Sequence, residues 1–554
     1  MAIDNYFIAD QFSLLSKLLD IHGDTSFKSR TYGAAAFNIE KLPEQLTTQS
    51  PEQIQSIKGI GASVSGKILE IIENGKLSAL DELIGQTPSG VIEMLSIKGL
   101  GPKKISAIWK EMQIESIGEL LYACNENRLG MFKGFGGKTQ QNIQEAIEFY
   151  LQNQGSFLYS EIAAIYPAVL SYLQKSFGSE NVHVTGAYRR QQLTIDETEF
   201  VVAKSNDEVK KAFATAFPPE LLEETTETLV YKLKNGLRLK LYTGADNITK
   251  RLFITTGSEE FVEAYLTSYP ATDFSMTEKD IFKQAGIEFI DPYLRESADL
   301  SSLSRITNET LIQESDIKGI IHSHSNWSDG LHTIEEMARA CIERKFEYLV
   351  ISDHSKAAAY AGGLSEEKIH QQHIYIDELN QQFAPFKIFK SIECDILGDG
   401  SLDYSNSILS TFDLVIASIH SNLKMTEEKA MMRILKAIEN PYTTILGHPT
   451  GRLLLSRSGY PLDHMKMIDA CAANHVVIEL NAHPRRLDMD WRWIQYALNK
   501  GVMISIDPDA HTIEGYNDCR YGVFAAQKGG LTAKHNLSSF GLNELEGYLR
   551  ERKL

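Results

Sequence analysis

From about residue 317 onward the chain alternates short, nearly uninterrupted apolar runs with amphipathic stretches. The runs are IKGIIHSHS (317–325), YLVISDHS (348–355), IFKSIECDIL (388–397), LVIASIHSN (414–422), TILGHPTGR (444–452), VVIELNAHP (476–484) and VMISIDPDAH (502–511). Between them lie segments with helical spacing, such as HTIEEMARACIERKF (332–346) and EEKAMMRILKAIENP (427–441). Strands that read as continuous apolar runs, each followed by a helix, predict a parallel sheet with crossover helices. If the strands close into a barrel, their C-terminal ends share one mouth.

The first 150 residues carry a different pattern, an internal repeat of apolar, Gly, apolar, Gly, then helix. SIKGIGASVSGKI (56–68) pairs with SIKGLGPKKISAI (96–108) and more loosely with MFKGFGGKTQQNI (131–143). Gly59 and Gly61, Gly99 and Gly101, and Gly134 and Gly136 fit a tight turn that needs positive φ or close approach of another backbone. The helix that follows each turn opens free N–H groups toward that approach. Such groups, helped by the helix dipole, bind phosphate without reading sequence.

Candidate chemistry sits at the ends of the C-terminal strands. There the chain places His322, His324, Asp329, His354, Glu393, His420, His448, Asp509 and His511. His322 and His324, two apart on a strand, point to the same side. Six of the fifteen histidines in this arrangement, with three carboxylates and no thiolate, suit Mn²⁺, Zn²⁺ or Fe²⁺. Nine convergent ligands are too many for one ion and imply two or three. Arg452 in HPTGR, and Arg485 and Arg486 in HPRRLD, are candidates to hold substrate phosphate through a planar fork of donors, or else are structural ion-pair partners.

This ligand series resembles the PHP (polymerase and histidinol phosphatase) family over about 230 residues, and all nine ligand positions of that family can be matched. The resemblance implies hydrolysis of a phosphate ester at a multinuclear centre, with Asp329 or His354 also placed to assist proton transfer. The N-terminal repeats resemble the helix-hairpin-helix elements of DNA-repair proteins. Lys98, Lys103, Lys104, Lys133 and Lys138 lend the second and third copies positive charge. With FKSRTYGAAAFNI (27–39), the N-terminal block is similar to the small domain of family X DNA polymerases. In that family a lysine after the first hairpin forms a Schiff base with an abasic sugar, and Lys67 stands at the matching position. The alternative is an ordinary helix lysine, because a lysine nucleophile needs a depressed pKa.

The family X resemblance continues through residues 155–296 and meets a departure. The family's palm carries Gly-Ser, a basic pair, Asp-x-Asp on one strand and a third Asp on its neighbour, the ligands of two catalytic metals. In HVTGAYRRQQLTIDETEFVV (183–202) Gly186, Arg189 and Arg190 are kept, but Ala187 replaces the serine and Glu197 and Glu199 replace the aspartates. In GLRLKLYTG (236–244) the third position is Lys240. Glutamate lengthens each arm, and lysine puts a cation where metal ions belong. Nucleotidyl transfer is expected to be lost and the fold kept, with Arg189 and Arg190 still candidates to grip a phosphate and the glutamates expected to pair with Lys240. A slipped alignment with Asp196 as ligand is the alternative. LFITTGSEEF (252–261) and MTEKDIFKQAGIEFIDPYLRE (276–296) match later segments of the family core.

Composition narrows the partner. A net charge of −18 excludes a polycationic nucleic-acid coat, since nonspecific affinity comes mainly from Lys and Arg neutralising phosphates. Residues 1–150 hold 14 Lys and Arg against 18 Asp and Glu, so any DNA contact is local. Five scattered cysteines without a CxxC pair suit reduced thiols in a cytoplasm. No basic n-region or long apolar stretch opens the chain, so neither signal peptide nor membrane span is expected.

The expected organisation is multidomain. An α-helical region holds the first hairpin (1–90) and a second hairpin region (91–154). An α+β polymerase-beta-like palm and thumb (155–296) follows, then a polar linker (297–316) that lets the next domain move, and a distorted α/β TIM-like PHP barrel (317–554). The order resembles bacterial family X DNA polymerases with a C-terminal PHP nuclease. That resemblance implies a manganese-dependent 3′ to 5′ exonuclease that processes abasic or blocked 3′ ends. Its partner is DNA that is gapped, abasic or 3′-ended, bound without sequence preference by a monomer, with no membrane. An active gap-filling polymerase with proofreading, and a small-molecule phosphatase, are the alternatives.

Overall fold

A computed structural model describes residues 3–23, 27–125, 128–152, 154–214, 218–244, 247–304, 306 and 311–552. The chain forms two compact units, Met1–Gln154 and Gly155–Leu554.

The first unit is all helical among its described residues, with one core running from Ile8 to Ile147. Its first helix, Asn5–His22, starts at Asp4, whose side chain accepts from the Phe7 N–H at 2.8 Å. Ile8, Phe12, Leu15 and Leu18 lie on its buried face, the spacing of an amphipathic helix. All three glycine motifs are turns between helices. Gly59, Gly99 and Gly134 have φ of +90°, +89° and +96°, a region closed to most L residues. The following helices are Ala62–Asn74, Pro102–Lys110 and Gly136–Gln152.

The second unit joins a palm-like sheet to a barrel. The palm strands are β1 (Val182–Thr185), β2 (Glu197–Val202), β3 (Glu220–Glu224), β4 (Thr228–Lys232) and β5 (Arg238–Tyr242), in the order β1-β2-β5-β4-β3. β2 and β5 run parallel with Glu199 opposite Lys240, and the other pairs are antiparallel. After the palm, helices Ile248–Thr256, Glu259–Ser268 and Glu278–Gln284 pack Phe253, Phe261, Tyr265 and Phe282 around the fully buried Arg295.

The barrel strands are β6 (Gly319–Ser323), β7 (Tyr348–Ile351), β8 (Lys387–Asp395), β9 (Leu414–Ser418), β10 (Ile445–Leu446), β11 (Val477–Asn481) and β12 (Ile504–Asp507). All seven are parallel and ordered as in the chain. The last strand returns to the first: the His324 N–H donates to Ala510 O at 2.8 Å and the Ala510 N–H to His322 O at 3.2 Å. Nearly all strand residues are buried, which is why these strands read as continuous apolar runs. Helix Ile334–Glu343 shows how a crossover is built. Thr333 and Glu336 form a capping box, and Ile334, Met337, Ala338 and Cys341 face the sheet, the larger of them contributing roughly 1.5–3 kcal/mol each.

The stretch 297–316 differs from a free linker where it is described; residues 305 and 307–310 lie outside the described residues. Leu300, Leu311 and Ile312 are buried, and the Ile312 N–H donates to Leu531 O of the barrel at 3.0 Å. Lys528 fastens barrel to palm. Its side chain is fully buried, 2.9 Å from Glu296 and 2.7 Å from Arg190 O. No described helix is long and apolar enough to cross a membrane.

Candidate metal centre

Parallel strands bring the nine candidate ligands to one end of the barrel, with Glu393 at the middle. Its Oε1 lies 2.9 Å from His448 Nε2, 3.0 Å from His420 Nε2 and 3.3 Å from His322 Nε2. Its Oε2 lies 2.9 Å from His354 Nδ1 and 3.7 Å from His324 Nε2. Asp509 Oδ1 reaches His324 Nε2 at 3.1 Å and His322 Nε2 at 3.5 Å. Asp329 is 3.4 Å from His511 and 3.6 Å from His354. Three overlapping groups could each hold an ion, their ligand atoms within 4.8 Å of one another: His324, Asp329, His354 and His511; His322, His324 and Asp509; His354, Glu393 and His420.

A row of polar groups outside this cluster fixes the imidazoles. His322 Nδ1 is 2.6 Å from Glu479, His420 Nδ1 is 3.3 Å from Asp395, and His511 Nδ1 donates to Asp509 O at 3.0 Å. Each contact holds a proton on Nδ1 and turns Nε2 inward, the arrangement of metal-ligating histidines. Asn481 donates to both Glu479 and Asp509. Backbone strain is concentrated here as well. His322, His448 and Asp509 have φ of +57°, +24° and +51°, a conformation worth about 1–3 kcal/mol of strain for a non-glycine residue.

Electrostatics sharpen the fit to metal. Burial opposes charge on His322, but Glu479, Asp509 and Glu393 overcome it and hold its pKa well above the ordinary value. His420 is raised to about 10, with Glu393 and Asp395 outweighing burial. His511 is raised to about 9, with Asp329 and Asp509 outweighing burial. His324 goes the other way, to about 3, through burial and then the neighbouring His511 and His354. Burial would raise Glu393, yet His420, His322 and His354 hold it well below the carboxylate range. The buried His322 Nε2, His324 Nδ1 and Glu393 Oε2 make no hydrogen bond among the described residues. Buried polar atoms of that kind are expensive unless something else satisfies them. Divalent ions fit: the donors are imidazole and carboxylate, and no thiolate intrudes, since Cys394 donates to Asp403. The cluster opens to solvent at Asp329 and His511, 33% and 40% exposed, with His420 partly buried at 10% and the other ligands buried.

The candidate phosphate-holding arginines separate. Arg486 stands 3.4 Å from Asp509 at the centre, and Arg485 is exposed. Arg452 does not face a free site: it is committed to Asp490 at 2.6 Å and to the carbonyls of Arg486 and Leu487. Sequence reading missed Glu479, Asp395 and His483. His483 accepts the Arg485 N–H on Nδ1, which leaves Nε2 as a donor. A glutamate inside a wholly buried strand was the available signal for Glu479.

The palm residues form a closed set of ion pairs. Glu197 meets Lys240 at 3.3 Å and Arg238 at 2.7 Å. Glu199 does not share Lys240. It accepts from the Ala187 N–H at 3.1 Å and the Tyr242 hydroxyl at 2.7 Å, and its carboxylate fills the space a Cβ at Gly186 would need. Arg189 and Arg190, expected to be open to phosphate, pair instead with Glu278 at 2.6 Å and Glu296 at 3.2 Å. Asp196 accepts from the Ser156 hydroxyl.

In the N-terminal unit Gly61 and Gly101 have φ of −80° and −91°. A Cβ on either, or on Gly99, Gly134 or Gly136, meets nothing within 4 Å. Lys103, Lys133 and Lys138 are exposed, whereas Lys104 donates to Gly99 O at 3.1 Å. Lys67 is half-buried with Nζ 5.9 Å from the centre of the Tyr32 ring.

Comparison with known proteins separates the same regions. Residues 3–77 match a family model described as "Helix-hairpin-helix domain", and residues 91–148 one described as "SAM-like Helix-hairpin-helix tandem". The chain is 31% identical to "DNA polymerase/3'-5' exonuclease PolX" of Bacillus subtilis, covering 96% of this chain and 97% of that one. A probable phosphatase of Thermoanaerobacter sp. is 25% identical over 43% of this chain and 97% of its own length. "DNA polymerase lambda" of Arabidopsis thaliana is 22% identical over 48% of this chain and 58% of its own length.

Proposed function

Since the chain belongs to the bacterial family X DNA polymerases that carry a C-terminal PHP domain, we propose that it hydrolyses DNA phosphodiesters from the 3′ end at the barrel and transfers no nucleotides at the palm. The observation that carries this reading is the Glu393 centre, where one buried carboxylate faces five histidines with their ring nitrogens turned inward. His322, His324, Asp329, His354, Glu393, His420, His448, Asp509 and His511 would hold two or three divalent ions, manganese for activity, with zinc or iron also compatible. Such ions supply Lewis acidity toward a phosphate ester and a lowered pKa for an attacking water.

The chain's own groups do the rest. Glu479 and Asp395 orient His322 and His420. Asp329 and His511, at the open edge, meet the incoming phosphate, with Asp329 or His354 placed to carry a proton. Arg486 neutralises phosphate charge beside Asp509. The hairpins hold the DNA backbone: Gly61 and Gly101 cap the helices that follow, and a Cβ on either would meet nothing within 4 Å among the described residues, so each turn is open to the close approach of an outside strand. At the palm, Lys240 occupies the third carboxylate's position, Glu197 pairs with Lys240 and Arg238, and Glu199 accepts from the Ala187 N–H and the Tyr242 hydroxyl. Lys67, beside Tyr32, is the candidate Schiff-base nucleophile for abasic sugars.

A 5′-labelled primer on a gapped template, with Mn²⁺ and nucleotides, tests the whole reading. Shortening from the 3′ end is expected, and templated extension would overturn the dead palm. His322→Ala with His324→Ala should abolish shortening while DNA binding persists. Trapping with borohydride on an abasic substrate should give an adduct that Lys67→Ala loses. The probable phosphatases favour a second reading, and turnover of phosphomonoesters with no action on DNA would support it.

A further inference from the structure

Loops that follow two adjacent barrel strands are zipped together beside the metal centre, and they present an arginine that nothing above uses. The first loop begins at the ligand His448. The Gly451 N–H donates to His448 O at 2.9 Å, and Arg457 Nε donates to Gly451 O at 2.8 Å. One short chain of hydrogen bonds thus sets the Arg457 guanidinium next to the turn that carries a ligand. The loop folds back on itself through the Leu453 N–H to Arg457 O at 2.8 Å and the Arg457 N–H to Leu453 O at 2.7 Å, with Leu455 at the tip in a left-handed conformation of φ +58°. The second loop carries Arg486, which touches the ligand Asp509. The two loops are joined by the Leu454 N–H to Arg485 O at 2.6 Å and by Arg452, which bonds Arg486 O.

Arg452, the arginine the sequence suggests for phosphate, is therefore the rivet of this structure. Arg457 has the opposite character. It is half-buried, has no carboxylate within 4.0 Å among the described residues, and spends only its Nε on a hydrogen bond. Burial, and after it the charge of Arg486, hold the Arg457 guanidinium below its ordinary value, with Tyr460 and the buried Asp488 opposing them. Asp488 also accepts from the Thr450 N–H at 3.1 Å, and two guanidinium groups in one partly desolvated corner gain further from an anion placed between them. A phosphate matches the fork of donors that each offers.

We infer that Arg457 and Arg486 together clamp a phosphate of a polynucleotide strand next to the one being hydrolysed, so that Arg457 sets preference for an oligonucleotide over an isolated phosphate ester. This rests on the phosphodiesterase reading of the same centre. The chain would use Arg486 at the border of the metal cluster and Arg457 one phosphate further along the strand.

Full-length Arg457→Gln and Arg457→Lys proteins, loaded with Mn²⁺ and checked for unchanged metal content, are compared with the unaltered chain. The substrates are a labelled single-stranded oligodeoxynucleotide and the p-nitrophenyl ester of thymidine 5′-monophosphate. Arg457→Gln should raise KM for the oligonucleotide roughly ten- to hundredfold with kcat within about twofold, and leave the one-phosphate ester unchanged. Arg457→Lys, which keeps charge but loses the fork, should fall between. Unchanged KM for the oligonucleotide, or equal loss on both substrates, would overturn the clamp. If the unaltered protein hydrolyses neither substrate, the phosphodiesterase reading fails by itself. The clamp is then decided by binding of a phosphorothioate trinucleotide, which Arg457→Gln must weaken for the proposal to stand.

Discussion

The palm and the barrel both gather acidic and basic side chains on neighbouring parallel strands, and they resolve the resulting charge in opposite ways. In the palm Glu197 has Lys240 and Arg238, Glu199 has a backbone N–H and a tyrosine hydroxyl, and Arg189 and Arg190 have Glu278 and Glu296. Each of these four charges has a partner within the chain. In the barrel Glu393 and Asp509 face imidazoles of which one, His322, turns inward a buried Nε2 that makes no hydrogen bond among the described residues. Carboxylates alone therefore do not mark a metal site. What marks it is a set of donors oriented from behind and left unsatisfied in front.

Removing the middle of the unsatisfied set should have the largest effect. Glu393→Gln takes away the one carboxylate within reach of five imidazoles, and hydrolysis should fall by about three orders of magnitude or more, in parallel with bound metal measured by elemental analysis. A variant that keeps both metal and activity would show that the barrel cluster, like the palm's, is only a packed network. Glu479→Gln acts from behind the ligands, on the group that orients His322, and should weaken metal affinity about 10–100-fold, read by titration against a competing chelator. The matched palm change, Glu197→Gln, should leave hydrolysis within about twofold, because its partner is Lys240 and no reacting group.

Arg295 tests the closed side of the comparison by stability. It is fully buried among Phe253, Phe261, Phe282 and Phe289 and pairs with Glu278 at 2.7 Å. Arg295 and Arg189 overcome the effect of burial and hold Glu278 below the usual carboxylate range. Arg295→Ala removes one of the two guanidinium groups that Glu278 shares, leaves Arg189 as its partner and opens a cavity among the phenylalanines; it should cost about 3–5 kcal/mol, seen as a lowered denaturation midpoint. Metal content should not change. Loss of metal along with stability would show that the palm supports the barrel centre through the Lys528 and Glu296 contact.

These differences explain what could be read from the chain alone. The barrel was legible because burial on both faces writes a strand as a continuous apolar run, and because six histidines end those runs. The hairpins were legible because Gly59, Gly99 and Gly134 need positive φ that few other residues adopt. The groups that decide between a satisfied and an unsatisfied cluster were not legible. Glu479 meets His322 from 157 positions away, and Glu278 and Glu296 lie about a hundred positions from the arginines they neutralise. Tertiary pairing of that range leaves no local pattern. The sequence suggests Arg452 for phosphate and passes over Arg457, and only the carbonyls of the next loop show that Arg452 is already committed.

The smallest expected effect concerns the hairpins, where charge meets a partner outside the chain. Lys103 and Lys138 follow the second and third glycine turns and are exposed, while Lys104 is turned back onto Gly99 O. Each lysine that neutralises one phosphate contributes about −0.9 to the slope of log K against log salt on duplex DNA. Lys103→Ala with Lys138→Ala should therefore flatten that slope by about two, measured by fluorescence anisotropy across a salt series, and weaken binding alike on all sequences. Lys104→Ala should flatten it less, since its hydrogen bond to Gly99 O draws the ammonium back onto its own turn. Hydrolysis of a one-phosphate ester should not respond to any of the three, because that substrate asks nothing of a backbone clamp. A slope unchanged in the double variant would mean that the glycine turns meet DNA through their N–H groups alone, which carry no counterion term.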